Sequence, residues 1–310
     1  LWWDEDLDAI KLESSYGDFE ALVGVAQEQA RENTDQDFID PEVDELQRVL
    51  ASLSWEIADS QSLHFFYLDQ QDDSSSFIDG ETIDTDKQDE EDADLSWAGI
   101  SYLGEFENDT MGELEIELHY SRVSGNETVY EFEEMPGGTS DVDGDPVKSR
   151  VRGSAQGFLI NWSPAQADDW SLIVGRAQGE REYRQNGLQG DSEVFGELLQ
   201  PELANLVVNT IGIEYEINEY AEIGLQAFEY EQESAIDELR DATIDFELNG
   251  TSKDIGEEID LVLTVEAFDG MELRLIVAEF KAGKAYDIEP GRNYEGETSQ
   301  FWKLELEYEF

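Results

Sequence analysis

The 310-residue chain carries 77 Asp and Glu against 18 Lys and Arg, a formal net charge of -59 at pH 7, and no cysteine. That balance excludes nucleic acid as a partner and disfavours general docking on anionic headgroups. The missing cysteine removes disulfide frameworks, thiolate metal sites and thiol chemistry.

No run of about 18 apolar residues occurs, so no transmembrane helix is expected. A β-barrel remains open, because half of each of its strands faces water. The chain begins Leu1-Trp2-Trp3-Asp4, with no initiator Met, basic leader or apolar signal core, so it reads as a mature form or as one whose front is missing.

Period-2 alternation predicts about thirteen strands, near 7–15, 18–29, 48–58, 62–70, 94–104, 113–123, 150–163, 168–178, 206–217, 221–231, 257–268, 271–281 and 299–310. In ELEIELHY, Leu114, Ile116, Leu118 and Tyr120 oppose Glu113, Glu115, Glu117 and His119. In IGIEYEI, Ile211, Ile213, Tyr215 and Ile217 oppose Glu214 and Glu216, and in IDLVLTV, Ile259, Leu261, Leu263 and Val265 share a face. The closing FWKLELEYEF sets Trp302, Leu304, Leu306, Tyr308 and Phe310 against Lys303, Glu305, Glu307 and Glu309. Each segment is long enough to cross a bilayer at a tilt.

The connections alternate in length. Short ones are YGD (16–18), DSQ (59–61), PAQ (164–166), NEY (218–220) and DG (269–270), with a slightly longer one near 105–112. Long ones fall near 30–47, 71–93, 124–149, 179–205, 232–256 and 282–298. Short turns at one end and long loops at the other are the pattern of an outer-membrane barrel, which a soluble sandwich has no reason to copy. The long connections are acidic, residues 69–94 most of all, and are expected to be solvated, mobile loops. Trp55, Trp162, Trp170 and Tyr215 beside short turns, with Phe310, are expected to form a girdle at the periplasmic rim, and Trp302 to lie at the outer rim.

The first and last strands both run inward, so the visible count is odd. Single-chain bacterial barrels have an even count, and an unpaired edge in lipid leaves bare backbone groups. The expectation is a single β-barrel domain over residues 1–310 that lacks N-terminal strands.

The stretches LWWDEDLDAIKLESSYGDFEALVGVAQEQ (1–29), IDPEVDELQRVLASLSWEI (39–57) and GEEIDLVLTVEAFDGMELRLIVAEFKAGKAY (256–286) resemble the C-terminal part of alginate export outer-membrane proteins. The resemblance rests on pattern and short phrases and covers most of the chain. It implies an all-β fold, an antiparallel transmembrane β-barrel of outer-membrane type with about 13 strands visible of 18. It further implies a monomer that passes an anionic polysaccharide such as alginate; separately, a terminal Phe310 on such a strand resembles the signal read by the outer-membrane assembly machinery.

The resemblance implies an arginine-rich pore, and the residues depart from it. The faces opposite the lipid stripe carry Glu113, Glu115, Glu117, Glu214, Glu216, Glu222, Glu305, Glu307 and Glu309, whereas the inward basic candidates are Lys11, Arg274 and Lys303. Such a lumen raises the barrier to anions entering from the periplasmic side, so a general or cation-favouring porin passing small ions stands beside the export reading. A soluble acidic β-protein is a third reading. Lys148, Arg150 and Arg152, with Arg176, Arg181 and Arg184, lie near extracellular strand ends, where they meet an anionic polymer or headgroup phosphates, or pair with loop acids.

Enzyme signatures are missing. Carboxylate pairs at any spacing are expected by chance in so acidic a chain, and no Ser elbow, P-loop or dinucleotide fingerprint occurs. His64 and His119 lie on strands without a partner motif and are expected to be solvated or hydrogen-bonded. In DVDGDP (141–146), Asp141, Asp143 and Asp145 alternate beside a glycine, a weak Ca²⁺ candidate that lacks the later Glu of an EF-hand loop. No cofactor is expected.

Overall fold

The structure is a computed structural model that describes residues 8–29, 45–72, 77–84, 91–130, 132–135, 139–167, 169–186, 195–240, 242–244, 247–268, 271–289 and 292–308. Its main element is an antiparallel sheet of thirteen strands. They are β1 (Asp8–Tyr16), β2 (Phe19–Gln29), β3 (Glu45–Ala58), β4 (Gln61–Asp72), β5 (Glu91–Asn108), β6 (Gly112–Val129) and β7 (Val147–Ser163). The series continues with β8 (Trp170–Gly179), β9 (Leu206–Asn218), β10 (Ala221–Gln232), β11 (Asp254–Phe268), β12 (Met271–Ala282) and β13 (Thr298–Tyr308). Each strand pairs with its neighbours in sequence, so the sheet is an uninterrupted meander with β1 and β13 at its edges.

All thirteen strands fall where the alternation puts them. β5 and β6 run further than expected, to 18 residues each, because their ladder continues beyond the apolar stripe into the long-loop end. At the opposite end the reversals are tight. Gly17 between β1 and β2 has φ +59° and Ser60 between β3 and β4 has φ +57°, the left-handed geometry that two-residue hairpin turns need. The DG turn at 269–270 lies outside the described residues.

The two faces of the sheet are opposite in character. On the outer face, large apolar side chains stand in the open: Leu12, Val23, Leu118, Ile211, Ile259 and Leu306 are between 46 and 75% exposed. In water such a patch would drive association; against lipid tails it is the solvated state. At the short-turn end the row closes in aromatics. Phe19 stacks on Trp55 with ring centroids 5.5 Å apart, Trp170 meets Tyr215 at 4.5 Å, and Trp162 Nε1 donates to the Met111 carbonyl at 2.8 Å. Trp302 is exposed on the outer face towards the other end of β13, while Phe310 lies outside the described residues.

The core lies on the inner face, in the half nearer the long loops. Leu50, Leu68, Trp97, Val151, Ile173 and Phe280 from the strands pack with Tyr183, Leu199, Leu203, Leu248 and Tyr286 from the connections. This corrects the expectation of solvated loops: the described residues Tyr183, Leu199, Leu203, Leu248 and Tyr286 of the connections after β8, β10 and β12 turn inward and cover the sheet. The acidic stretch before β5 is corrected in part. Residues Thr82–Asp84 pair with Thr139–Val142, which pair with Phe132–Met135, and Phe77 packs edge-on against Tyr130 and Phe132. Of its acids, Asp79 accepts the backbone N–H of Gly144 at 3.1 Å.

Candidate functional site on the inner face

Alternation sends every second residue of each strand to the inner face, and towards the short-turn end those residues are mostly glutamates. Glu113 and Glu115 of β6 stand directly opposite Glu107 and Glu105 of β5, and Glu216 of β9 opposite Glu222 of β10. Like charges paired this way oppose sheet formation, so the ladder is tolerated where water fills the space between them. Partial relief comes from neutral donors: Ser171 Oγ donates to Glu214 at 2.9 Å, and Asn161 Nδ2 reaches Glu115 at 3.4 Å.

Both histidines are held on this face. His119 bridges Ser101 Oγ at 2.9 Å and Glu117 at 3.0 Å, and His64 sits between Ser54 and Ser62, each at 2.8 Å. Among the described residues no group of three or more His, Asp or Glu is arranged to hold a metal. Asp141 instead accepts the Thr82 hydroxyl at 2.6 Å, and Asp143 and Asp145 are exposed.

Higher up, a strap formed by residues 195–205 crosses the inner face. Glu258 of β11 accepts the backbone N–H of Leu198 at 2.6 Å and of Leu199 at 3.1 Å. Asp260 accepts that of Glu197 at 2.7 Å, and the Tyr230 hydroxyl that of Gly196 at 2.8 Å. Four consecutive N–H groups of an irregular segment are thereby satisfied by wall side chains, and two carboxylates find donors where water is excluded. The approach is close enough to need glycine. A side chain at Gly179 would run into the Leu203 carbonyl, one at Gly153 into the Tyr183 backbone, and one at Gly196 into Glu258.

The strap carries charge into the space. Glu197 pairs with Arg274 of β12, which also reaches Glu305 of β13 at 3.5 Å, and Glu305 pairs with Lys303. The predicted cations Arg274 and Lys303 and the predicted Glu305 are thus one network. Glu307 stands in register with Glu272 nearer the turns, and Lys11 lies alone among the cations on β1, paired to Glu13 at 2.9 Å.

Three arginines converge elsewhere. A cavity of about 370 Å³ between the strap and strands β3 to β5 is lined by Arg48, Arg184 and Arg240, with Gln70, Trp97 and Glu202. Arg48 Nε donates to Gln70 at 3.0 Å. Arg184 forks onto both oxygens of Glu127, each at 2.8 Å, and its carbonyl accepts Trp97 Nε1 at 2.7 Å. None of the three was singled out as a pore residue. Arg48 had a readable signal, since it shares parity with Leu50, Ser52 and Ser54 and opposes the Val49, Leu53 and Trp55 row. Arg184 and Arg240 sit in non-periodic segments, and only the inward fold of the loops brings them here.

A membrane-facing apolar band, an aromatic girdle, a meander with all long loops at one end and a charged inner face define an outer-membrane β-barrel channel, resident in the bacterial outer membrane. Known structures agree on the fold. The chain is similar to Pseudomonas aeruginosa OccK5 (OpdH), with TM-score 0.60 and 10% identity over 97% of this chain and 70% of that one. It is also similar to P. aeruginosa OccK11 (OpdR), at 0.56 and 10% over 96% and 68%, and to Acinetobacter baumannii OccAB1, at 0.54 and 11% over 96% and 66%. The chain belongs to the alginate export family, whose model matches residues 7–299. A search of curated proteins returned no match.

Proposed function

We propose that the protein is a passive conduit for an anionic polysaccharide of the polyuronate type. The observation that carries this reading is the convergence of Arg48, Arg184 and Arg240 on one inner cavity of a chain with only 18 basic residues. Planar guanidinium groups suit carboxylates, which they bind in a forked geometry; Arg184 already holds Glu127 in this way, so Arg48 and Arg240 would be the ones to meet the polymer. A polymer leaving the acidic half of the lumen would meet this cluster, with Arg274, Lys303 and Lys11 as further steps along the wall. Glu113, Glu115, Glu117, Glu214, Glu216, Glu305 and Glu307 would keep the chain from lingering in the narrow passage. The wall itself would be closed by strands beyond the thirteen, since β1 and β13 each pair on one side only among the described residues. Phe310 would serve the assembly machinery.

The glutamate ladder favours a second reading, a cation-preferring channel for small solutes. A planar-bilayer recording separates the two. Reversal potential is measured across a salt gradient, and oligouronates are added on the loop side. Anion preference with current block by oligouronates supports the conduit. Cation preference without block supports the alternative and removes the first.

A further inference from the structure

The chain's scarce cations are unevenly spread. Arg122 of β6, Lys148, Arg150 and Arg152 of β7 and Arg176 of β8 occupy three adjacent strands, on the outer face and all exposed. Register fixes their spacing. Arg122 faces Ser154, Arg152 faces Ser124 and Arg150 faces Asn126. Arg122 and Arg152 are therefore diagonal neighbours about 7–8 Å apart. Arg150 and Arg152, two residues apart on one strand, are about 6.6 Å apart.

Their height is equally defined. On β6 the outer row reads Leu114, Ile116, Leu118, Tyr120 and then Arg122. At about 3.3 Å per residue, the step from Leu114 to Arg122 is about 26 Å along the strand, which at the usual 35–45° tilt climbs about 20 Å, most of an outer-membrane apolar band. On β8 the same row runs Trp170, Leu172, Val174 and then Arg176. The cations thus begin where the hydrocarbon ends, on the loop side.

Arg176 Nη1 donates to Asn209 at 2.7 Å, and Arg122, Lys148, Arg150 and Arg152 have no ion-pair partner among the described residues. Carboxylates share the surface, and Asp92 on β5 lies in the Lys148 row. Asp94 lies in the Arg150 row on β5, and Glu180 accepts the backbone N–H of Ser154 at 2.8 Å. The remaining acids of the chain repel anions at long range, but at 0.15 M salt the field of distant charges fades within about 8 Å, so the local sign governs contact.

We propose that Arg122, Lys148, Arg150 and Arg152 form a docking site for the phosphate-bearing headgroup of an outer-leaflet lipid. Strand parity sets Arg122, Lys148 and Arg152 on the face away from the lumen, while Arg150 also borders a cavity lined by Glu127, Arg184 and Arg240. Forked guanidinium groups carried on diagonal neighbours of two paired strands suit a headgroup with more than one phosphate.

The test uses the protein purified in detergent, titrated with diphosphorylated lipid A, monophosphorylated lipid A and inorganic phosphate, with binding read by native mass spectrometry and thermophoresis. The diphosphorylated lipid is expected to bind most tightly, with affinity falling as NaCl rises. The R122S/K148S/R152S variant is expected to bind it about a hundredfold more weakly while single-channel conductance stays unchanged. Undiminished binding by a folded variant, or inorganic phosphate competing as well as the lipid, overturns the proposal. If the variant does not fold, salt-independent binding by the wild type overturns it.

Discussion

Glu258 holds Leu198: a carboxylate buried on the inner face of β11 accepts the backbone N–H of the strap at 2.6 Å, and that of Leu199 beside it. Glu258, with Asp260 and Tyr230 beside it, therefore sets how far the strap closes the inner space. Replacing it with alanine removes two charge-assisted bonds, each worth about 1.5–3 kcal/mol, and leaves the N–H groups bare. Glu258→Ala is expected to raise single-channel conductance and lower the unfolding midpoint. Unchanged conductance would show that the strap does not limit the passage.

Gly179 and Gly153 allow the strap and the Tyr183 segment to touch the wall. Gly179→Val or Gly153→Val is expected to lift these segments while leaving the sheet ladder intact. Hydrogen exchange checks this, with faster exchange confined to the connection after β8.

Arg184 and Glu127 are a forked pair with side chains only 12% and 6% exposed. Arg184→Met strands the carboxylate and is expected to cost about 3–5 kcal/mol. The double variant R184M/E127M should recover most of that loss in denaturant titrations. An equal loss in both would mean that Arg184 acts through packing alone.

Arg48 and Arg240 face the cavity from opposite sides, one on the wall and one on a loop. The R48S/R240S variant is expected to weaken current block by oligouronates about tenfold or more and to shift the reversal potential towards cations, as each loses a strong carboxylate donor.

Trp55, Trp162 and Trp170 lie on the outer face at the turn end, whereas Trp97 is 1% exposed on the inner face. In single-tryptophan variants reconstituted in brominated lipid, the first three are expected to be strongly quenched and Trp97 to be spared. Quenching of Trp97 would invert the assignment of faces.

The wall was legible in the sequence because a strand between lipid and water is specified by its own two-residue period. The Leu114–Tyr120 row and the Leu304–Tyr308 row need no distant partner to declare their faces. The strap was not legible. Leu198, Leu199 and Leu203 form no repeat, and their burial depends on Glu258 and Gly179, which read locally as one more acid and one more glycine. The charged loop before β5 misled for a related reason: Phe77, Tyr130 and Val142 are apolar residues scattered through acid, and only their meeting makes a small core. Among the inner-face cations, Arg274 and Lys303 followed from strand parity, while Arg184 and Arg240 depended on loop geometry.

The clamp joins partners 59 and 60 residues apart, with the strap made first and its anchor later. Glu258 and Asp260 reach position only once β9, β10 and β11 have zipped together, because their register descends through that ladder. The narrowing of the inner space is therefore a property of the assembled wall and not of any one strand: it exists only where the β9–β11 ladder is complete.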